Sequence, residues 1–474
     1  DAVERSTGKR PAVLHSGSLE GPGILLSDLT TQPAAPTGFT PVEASAIRAE
    51  GFRIRWNSAT RVLSVCGGNA AGLLYGVFRL IRLLGEGAEL TSVDLLENPV
   101  SPLRMINHWD NLDGSIERGY AGRSIFYENN AFIQDLGRAR DYARLLASVG
   151  INTVCINNVN VRSASIRLIT EEYLPDVARV ADVFRSFGIR LMLCVNFTSP
   201  ILIGGLKTAD PLHPDVERFW ADQTDLVYRY IPDLRGFLVK ADSEFLPGPI
   251  ADGRTHADGA NTIARALAPH DAIVIWRCFV YNCMQDWRDT VTDRPKAAYE
   301  NFMPLDGDFD GNVLLQIKNG PVDFQIREPV SPLFGAMRHT REVLELQVTQ
   351  EYTGQQKHLC YLLPLWKEVI DFDPRLSDCP GTVGAMLANG TIEGIAGVVN
   401  VGLDRNWTGH TLAQANLYGY ARLCWNPALS AETIAEEWVR LTLGDDPSVV
   451  STVTAMLMGS RATYEKYNAP LGIG

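Results

Sequence analysis

Three charged side chains at the end of one apolar run could do acid–base chemistry together. In the stretch 235–248, Gly236-Phe237-Leu238-Val239 reads as a buried strand, and Pro247-Gly248 cannot continue a ladder. At the boundary stand Lys240, Asp242 and Glu244. Residues two apart in a strand share a face, so the three point the same way. One cation and two carboxylates make a poor core. They make a reasonable catalytic mouth if the strand belongs to a parallel barrel. The plainer alternative is an exposed strand end with an incidental charge cluster.

The elements that would position them recur along the chain. From about residue 101, apolar runs alternate with helical patterns: 103–108, 151–156, 189–196, 236–240, 272–279, 312–318, 344–349 and 394–400. Between the first two, Ile133, Leu136, Ala139, Ala143 and Leu146 mark one helical face. Val149-Gly150-Ile151 and Phe187-Gly188-Ile189 each put a glycine past a helix end and before a strand. Eight such units predict an α/β chain with a (β/α)8 barrel over residues 99–405. A doubly wound sheet is the alternative, but no nucleotide fingerprint accompanies it. Residues 1–98 read as a small α+β domain. It has a hairpin at 52–56 and 61–65, then a helix carrying Leu73, Leu74, Val77, Phe78, Leu80 and Ile81. Its first 45 residues, rich in Pro, Gly, Ser and Thr, read as partly irregular. Residues 406–474 read as the start of a helical domain left incomplete. With Asp1 first and 469–474 last, a fragment is expected at both ends.

Placed on that barrel, the strand ends collect polar groups. Strand 1 offers Asn107 to Asn111 with Trp109 among them, and strand 2 offers Asn157 and Asn158. Strand 4 offers Lys240, Asp242 and Glu244, strand 5 Arg277, strand 6 Lys318 and Asp323, and strand 7 Gln350 and Glu351. The carboxylates are candidates for acid and base. Lys240, Arg277 and Lys318 are three cations at one mouth, in a chain of 474 residues with net charge −12. A metal site recruits carboxylates without such cations, so no metal is assigned and no cofactor is expected. Three cations in an acidic chain point to an anionic group on the substrate. Amides, an aromatic wall and paired carboxylates suit a sugar, and an added carboxylate makes it a uronic acid. The negative charge argues against nucleic acid, and no apolar run is long enough to span a membrane. The eight cysteines form no CxxC pair, and several lie in apolar strands. Free thiols and a reducing, cytoplasmic compartment are expected, with a periplasmic or secreted location left open.

The stretch 107–124 resembles the signature of glycoside hydrolase family 67, the α-glucuronidases of xylan breakdown. So do 236–244, 318–325 with Arg327-Glu328-Pro329, and 349–352. The resemblance covers about residues 50–474. It implies a barrel enzyme that removes glucuronic acid, often 4-O-methylated, from xylooligosaccharides with inversion. It implies Glu244 as general acid and Asp323 with Glu351 as the pair that activates water. Lys240, Arg277 and Lys318 would surround the uronate, Trp109 would form the aromatic wall, and Asn157 is expected to bind substrate. Xylan-derived aldouronic acids are the implied partners, with a homodimer where a complete C-terminal domain is present. The family usually has Gly-Gln after the catalytic glutamate. Phe245-Leu246 stand there instead, which is expected to reshape the acid's loop. Two other readings remain. One is a substrate-assisted hexosaminidase using Asp242 and Glu244 as its pair. The other is a truncated domain that binds acidic sugars without turnover.

Overall fold

The computed structural model describes residues 23–31, 39–280, 288, 294–375 and 381–469. Cys283, Cys379 and residues 470–474 lie outside them, as do residues 1–22.

Eight parallel strands close into a barrel in chain order: Leu103–His108, Thr153–Cys155, Arg190–Val195, Gly236–Val239, Ile273–Arg277, Val313–Lys318, Arg341–Gln347 and Ile392–Val399. They are called strands 1 to 8 below. Each of the eight runs read from the sequence overlaps one of them, and the first six contain theirs. Strand 8 begins at Ile392, two residues before the expected start. Strand 7 is displaced most: it begins at Arg341, three residues before the expected start, and ends at Gln347 rather than at 349. Strand 1 pairs with strand 8 through Gly394↔Leu103, which closes the ring. Inside it lies a dry layer that includes Met105, Cys155, Met192, Leu238, Ile275 and Val343. This floor carries the polar groups of the C-terminal ends.

The hairpin Phe52–Asn57 with Val62–Gly67 is antiparallel, as expected, and Asp94–Glu97 pairs on its other edge. A strand from Gly23–Asp28 pairs parallel to Val62–Gly67. Part of the stretch read as irregular is therefore regular. Its Ile24 and Leu26 are exposed while Leu25 is partly covered, a weak alternation that the turn-rich surroundings mask. The helix Ala70–Gly85 is capped by the Asn69 side chain, which accepts from the Gly72 amide. Gly67-Gly68-Asn69 thereby makes the turn from strand to helix.

After strand 8 come helices Gln414–Trp425, Ala431–Leu443 and Pro447–Asn468. The first packs where a barrel's eighth helix belongs. Its Tyr420 hydroxyl reaches the Met105 carbonyl of strand 1 and, at 3.0 Å, the Ile395 carbonyl of strand 8.

One buried arginine ties the N-terminal unit to the barrel. Arg104, on the outer face of strand 1, is fully buried between the rings of Tyr75 and Trp425. It donates to the Gly150 and Ser101 carbonyls and to the Glu50 carboxylate. Glu50→Ala would leave that guanidinium without the one carboxylate it meets among the described residues. Glu50 is partly solvated, so the expected loss is about 2 kcal/mol rather than the larger cost of a sealed pair. A lower urea midpoint at constant slope would register it, and an unchanged midpoint would contradict it.

Candidate active site

The strand 4 end is bound up with its own loop. Lys240 is buried, and its ammonium bridges the Glu244 carboxylate and the Asn160 amide oxygen, the latter at 2.7 Å. Burial pulls Lys240 well below the usual ammonium range, and the charges of Arg277 and Lys318 add to this. Glu117 and Asp323 oppose it. Ser243 and Leu246 exchange backbone hydrogen bonds of 3.2 and 2.9 Å, which leaves Glu244 and Phe245 at the tip of a tight turn. Both tip residues have positive φ, 49° and 64°, the pattern of a type I′ turn, where Asn-Gly is the favoured pair. Phe245 thus adopts the left-handed backbone that glycine favours, at an energetic cost. Its ring is 72 % exposed.

Phe245→Gly is expected to stabilise the fold by about 1 kcal/mol. Relief of left-handed strain outweighs the extra freedom glycine gives the unfolded chain, and little buried area is lost. A higher melting temperature would support this, and a lower one would show that the ring is held by packing.

Asp242 has partners of its own. Its carboxylate accepts the Ile250 amide at 3.2 Å and lies 4.0 Å from the His256 ring. A Cβ on Gly248 would collide with it at 2.3 Å. Burial pushes its carboxyl up to about 6, although the Ile250 and Gly248 amides pull it back. Its carboxylate braces the loop through the Ile250 amide.

On strands 5 and 7, the Arg277 guanidinium grips the Glu345 carboxylate with bonds of 2.7 to 3.1 Å, both side chains buried. Burial pulls Arg277 down, but the Glu345 charge and hydrogen bonds override it and hold the guanidinium above its ordinary range. Lys318, at the end of strand 6, meets Asp323 at 2.5 Å. Its proton affinity is lowered by burial, which outweighs Asp323. Glu328 accepts the Val322 and Gln325 amides at 2.7 and 2.9 Å, which fixes the short loop that carries Asp323. The Tyr352 hydroxyl lies 3.4 Å from the other Asp323 oxygen. The three cations surround one ring: the Phe279 centroid is 3.4 Å from Lys318 Nζ, 5.3 Å from Arg277 and 5.6 Å from Lys240. Trp109 packs on the inner floor with its ring 5.8 Å from Arg277, and its buried indole N–H has no hydrogen-bond partner among the described residues.

Glu351 stands on the loop after strand 7. It is held by the Arg118 guanidinium and by the Gln347 amide at 3.3 Å. Arg118 and Glu117 come from the loop after strand 1, inside the stretch 107–124, although neither stands among the candidate site residues of the sequence. The Glu117 carboxylate takes the Asn158 amide at 2.8 Å and the Asn160 amide at 3.1 Å. Asn400, at the end of strand 8, donates to both the Glu117 and Arg118 carbonyls at 2.6 Å. One corner therefore reaches Lys240 through Asn160 on one side and Glu351 on the other. Its sequence signal was the Glu-Arg pair inside an otherwise polar, glycine-rich loop.

Asn157 is a correction. Its amide donates to the Cys194 carbonyl at 3.0 Å and accepts the Cys194 amide at 2.9 Å. Both polar atoms are engaged in stitching strand 2 to strand 3, so none is presented to a sugar. His108, between Asp110 at 3.2 Å and Tyr142 at 3.0 Å, is buried and supports the first loop.

A profile of the glycosyl hydrolase family 67 middle domain matches residues 83–407, and one of the family 67 C-terminus matches 408–474. A probable alpha-glucuronidase A of Aspergillus flavus is 45% identical over 475 residues, covering 99% of this chain and 56% of the relative. Alpha-glucuronidase A of Emericella nidulans is 48% identical over 423 residues, 86% of this chain and 49% of the relative. The chain thus spans about half the length of the curated relatives it matches. Among solved structures, a GH138 enzyme targeting pectin rhamnogalacturonan II superposes with TM-score 0.58 at 14% identity, over 98% of this chain and 53% of that one. A GH20 exo-β-N-acetylglucosaminidase from Vibrio harveyi gives 0.51 at 11%, over 97% and 71%. At such identities these two share the fold and nothing finer.

Proposed function

The chain belongs to glycoside hydrolase family 67, and from that premise we propose that it removes α-1,2-linked glucuronic acid, with or without a 4-O-methyl group, from xylooligosaccharides. The observation that carries this reading is the ring of Lys240, Arg277 and Lys318 around Phe279, buried at the mouth of an acidic chain. Each cation already meets a protein carboxylate, Glu244, Glu345 or Asp323, so an arriving uronate shares or competes for charges that are held in place before it binds. Glu244 acts as general acid on the glycosidic oxygen, and Asp323 and Glu351 activate water. Trp109 walls the sugar. Lys240 now holds Glu244. An arriving uronate competes for that ammonium and leaves Glu244 free to keep a proton for the leaving group. Arg277 supports the site through Glu345, so its contact with substrate adds to an existing pair rather than filling a bare charge.

Release of glucuronic acid from aldotriouronic acid by the 474-residue chain tests the proposal. Binding of glucuronic acid without release would select an acidic-sugar-binding domain. Cleavage of N-acetylglucosaminides instead would select the hexosaminidase reading.

A further inference from the structure

We infer that Phe245 is a platform for the leaving-group sugar, giving this chain its own selectivity on the xylose side of the scissile bond. The inference rests on the glycosidase reading and goes beyond it. A general acid protonates the oxygen that joins the two sugars, so whatever adjoins Glu244 on its solvent side faces the departing one. Phe245 is the next residue, and its ring is 72 % exposed. Exposure alone is ordinary for a single apolar side chain; what sets this one apart is where it stands and the backbone that presents it.

The turn presents this ring at a cost. Glu244 and Phe245 both sit at positive φ, where neither residue type is at ease. Strain kept at such a position points to a use for the side chain that endures it. The surroundings over-determine the turn. The Arg162 guanidinium donates to the Glu244 carbonyl, Asp242 accepts the Ile250 amide, and Lys240 holds the Glu244 carboxylate. The backbone that carries Phe245 is thus held, and its ring moves through its own side-chain torsions. A xylose residue has the chemistry to use such a platform. Its pyranose carries C–H groups on both faces and no hydroxymethyl arm, so it can lie flat against an aromatic ring. The bulky uronate, by contrast, is recognised by charge deeper in the barrel.

The test is an NMR titration of xylotriose into the full 474-residue chain, compared with Phe245→Gly and Phe245→Tyr. Glycine suits the turn, so the first variant keeps the fold while deleting the ring. The expected result is affinity for xylotriose weakened about 3- to 10-fold in Phe245→Gly and retained in Phe245→Tyr. Equal affinity in the parent and Phe245→Gly, or no binding by the parent, would overturn the inference. No turnover is needed, so failure here is distinct from failure to release glucuronic acid. With active protein, Phe245→Gly should lose more on aldotriouronic acid than on α-glucuronyl fluoride, whose leaving group has no sugar to stack.

Discussion

Glu244→Gln is expected to lower turnover of aldotriouronic acid by about 10²- to 10⁴-fold while sparing most activity on α-glucuronyl fluoride. A xylose alkoxide is a poor leaving group and needs a proton as the bond breaks, whereas fluoride departs with far less help. The glutamine keeps the shape of the side chain and removes only the proton. The local structure explains why this position can serve. The type I′ turn projects Glu244 from the strand 4 loop, where it remains 37 % exposed at the side-chain level, while its partner Lys240 is sealed in the barrel. Burial and two neighbouring cations make Lys240 yield its proton more readily than a solvated ammonium would. It is therefore a poor fixed counter-ion, and a bound uronate can take its charge. The variant should also lose the alkaline limb of the pH–rate profile, because that limb reports deprotonation of the acid. Equal losses on both substrates would place the acid elsewhere.

The barrel was legible because its strands are buried on both faces and read as continuous apolar runs. Strand 7 was the exception, and the reason lies in its composition. Arg341-Glu342-Val343-Leu344-Glu345 interleaves charges with apolar residues, so its start looked like loop. Glu345 was missed on the same ground: a glutamate between two leucines reads as solvent-facing, yet here it points into the barrel and meets Arg277. Long-range pairing of that kind has no local signature. For the same reason Arg277→Ala, read simply as loss of a substrate contact, would also strand Glu345 as a buried unpaired carboxylate. Asn157 failed differently. An asparagine at a strand end can equally offer its amide to a ligand or to the next strand, and only coordinates distinguish the two. The cluster of Lys240, Lys318, Asp323, Glu244 and Glu351 was visible because each stands just beyond an apolar run, where strand ends converge. The Glu117–Arg118 corner was not, since it lies well past the end of strand 1 and returns to the mouth only through the course of its loop.

Glu351→Gln and Asp323→Asn are expected to abolish turnover on both substrates alike, each by about 10²- to 10⁴-fold, in contrast to the acid variant. Water must be activated whatever the leaving group, so a better leaving group cannot rescue the loss. The two carboxylates stand on adjacent loops after strands 6 and 7, whereas Glu244 stands on the loop after strand 4. Neighbouring parallel strands are about 4.8 Å apart, so the acid is separated from the pair by two or three strand spacings before side chains converge. That arrangement suits the roughly 6.5–9.5 Å between carboxyls that an inverting enzyme needs to fit its water, not the roughly 5–5.5 Å of a retaining pair. The supports differ as well. Glu351 is held by Arg118 and Gln347, while Asp323 is held by Lys318 and approached by the Tyr352 hydroxyl. Each side chain is thereby fixed by partners from more than one strand end, and a water between them would meet two acceptors in place. Proton NMR of the first product gives the decisive readout. Hydrolysis of an α-linked substrate should release β-glucuronic acid before mutarotation, and initial release of the α anomer would rule out the water-activating pair.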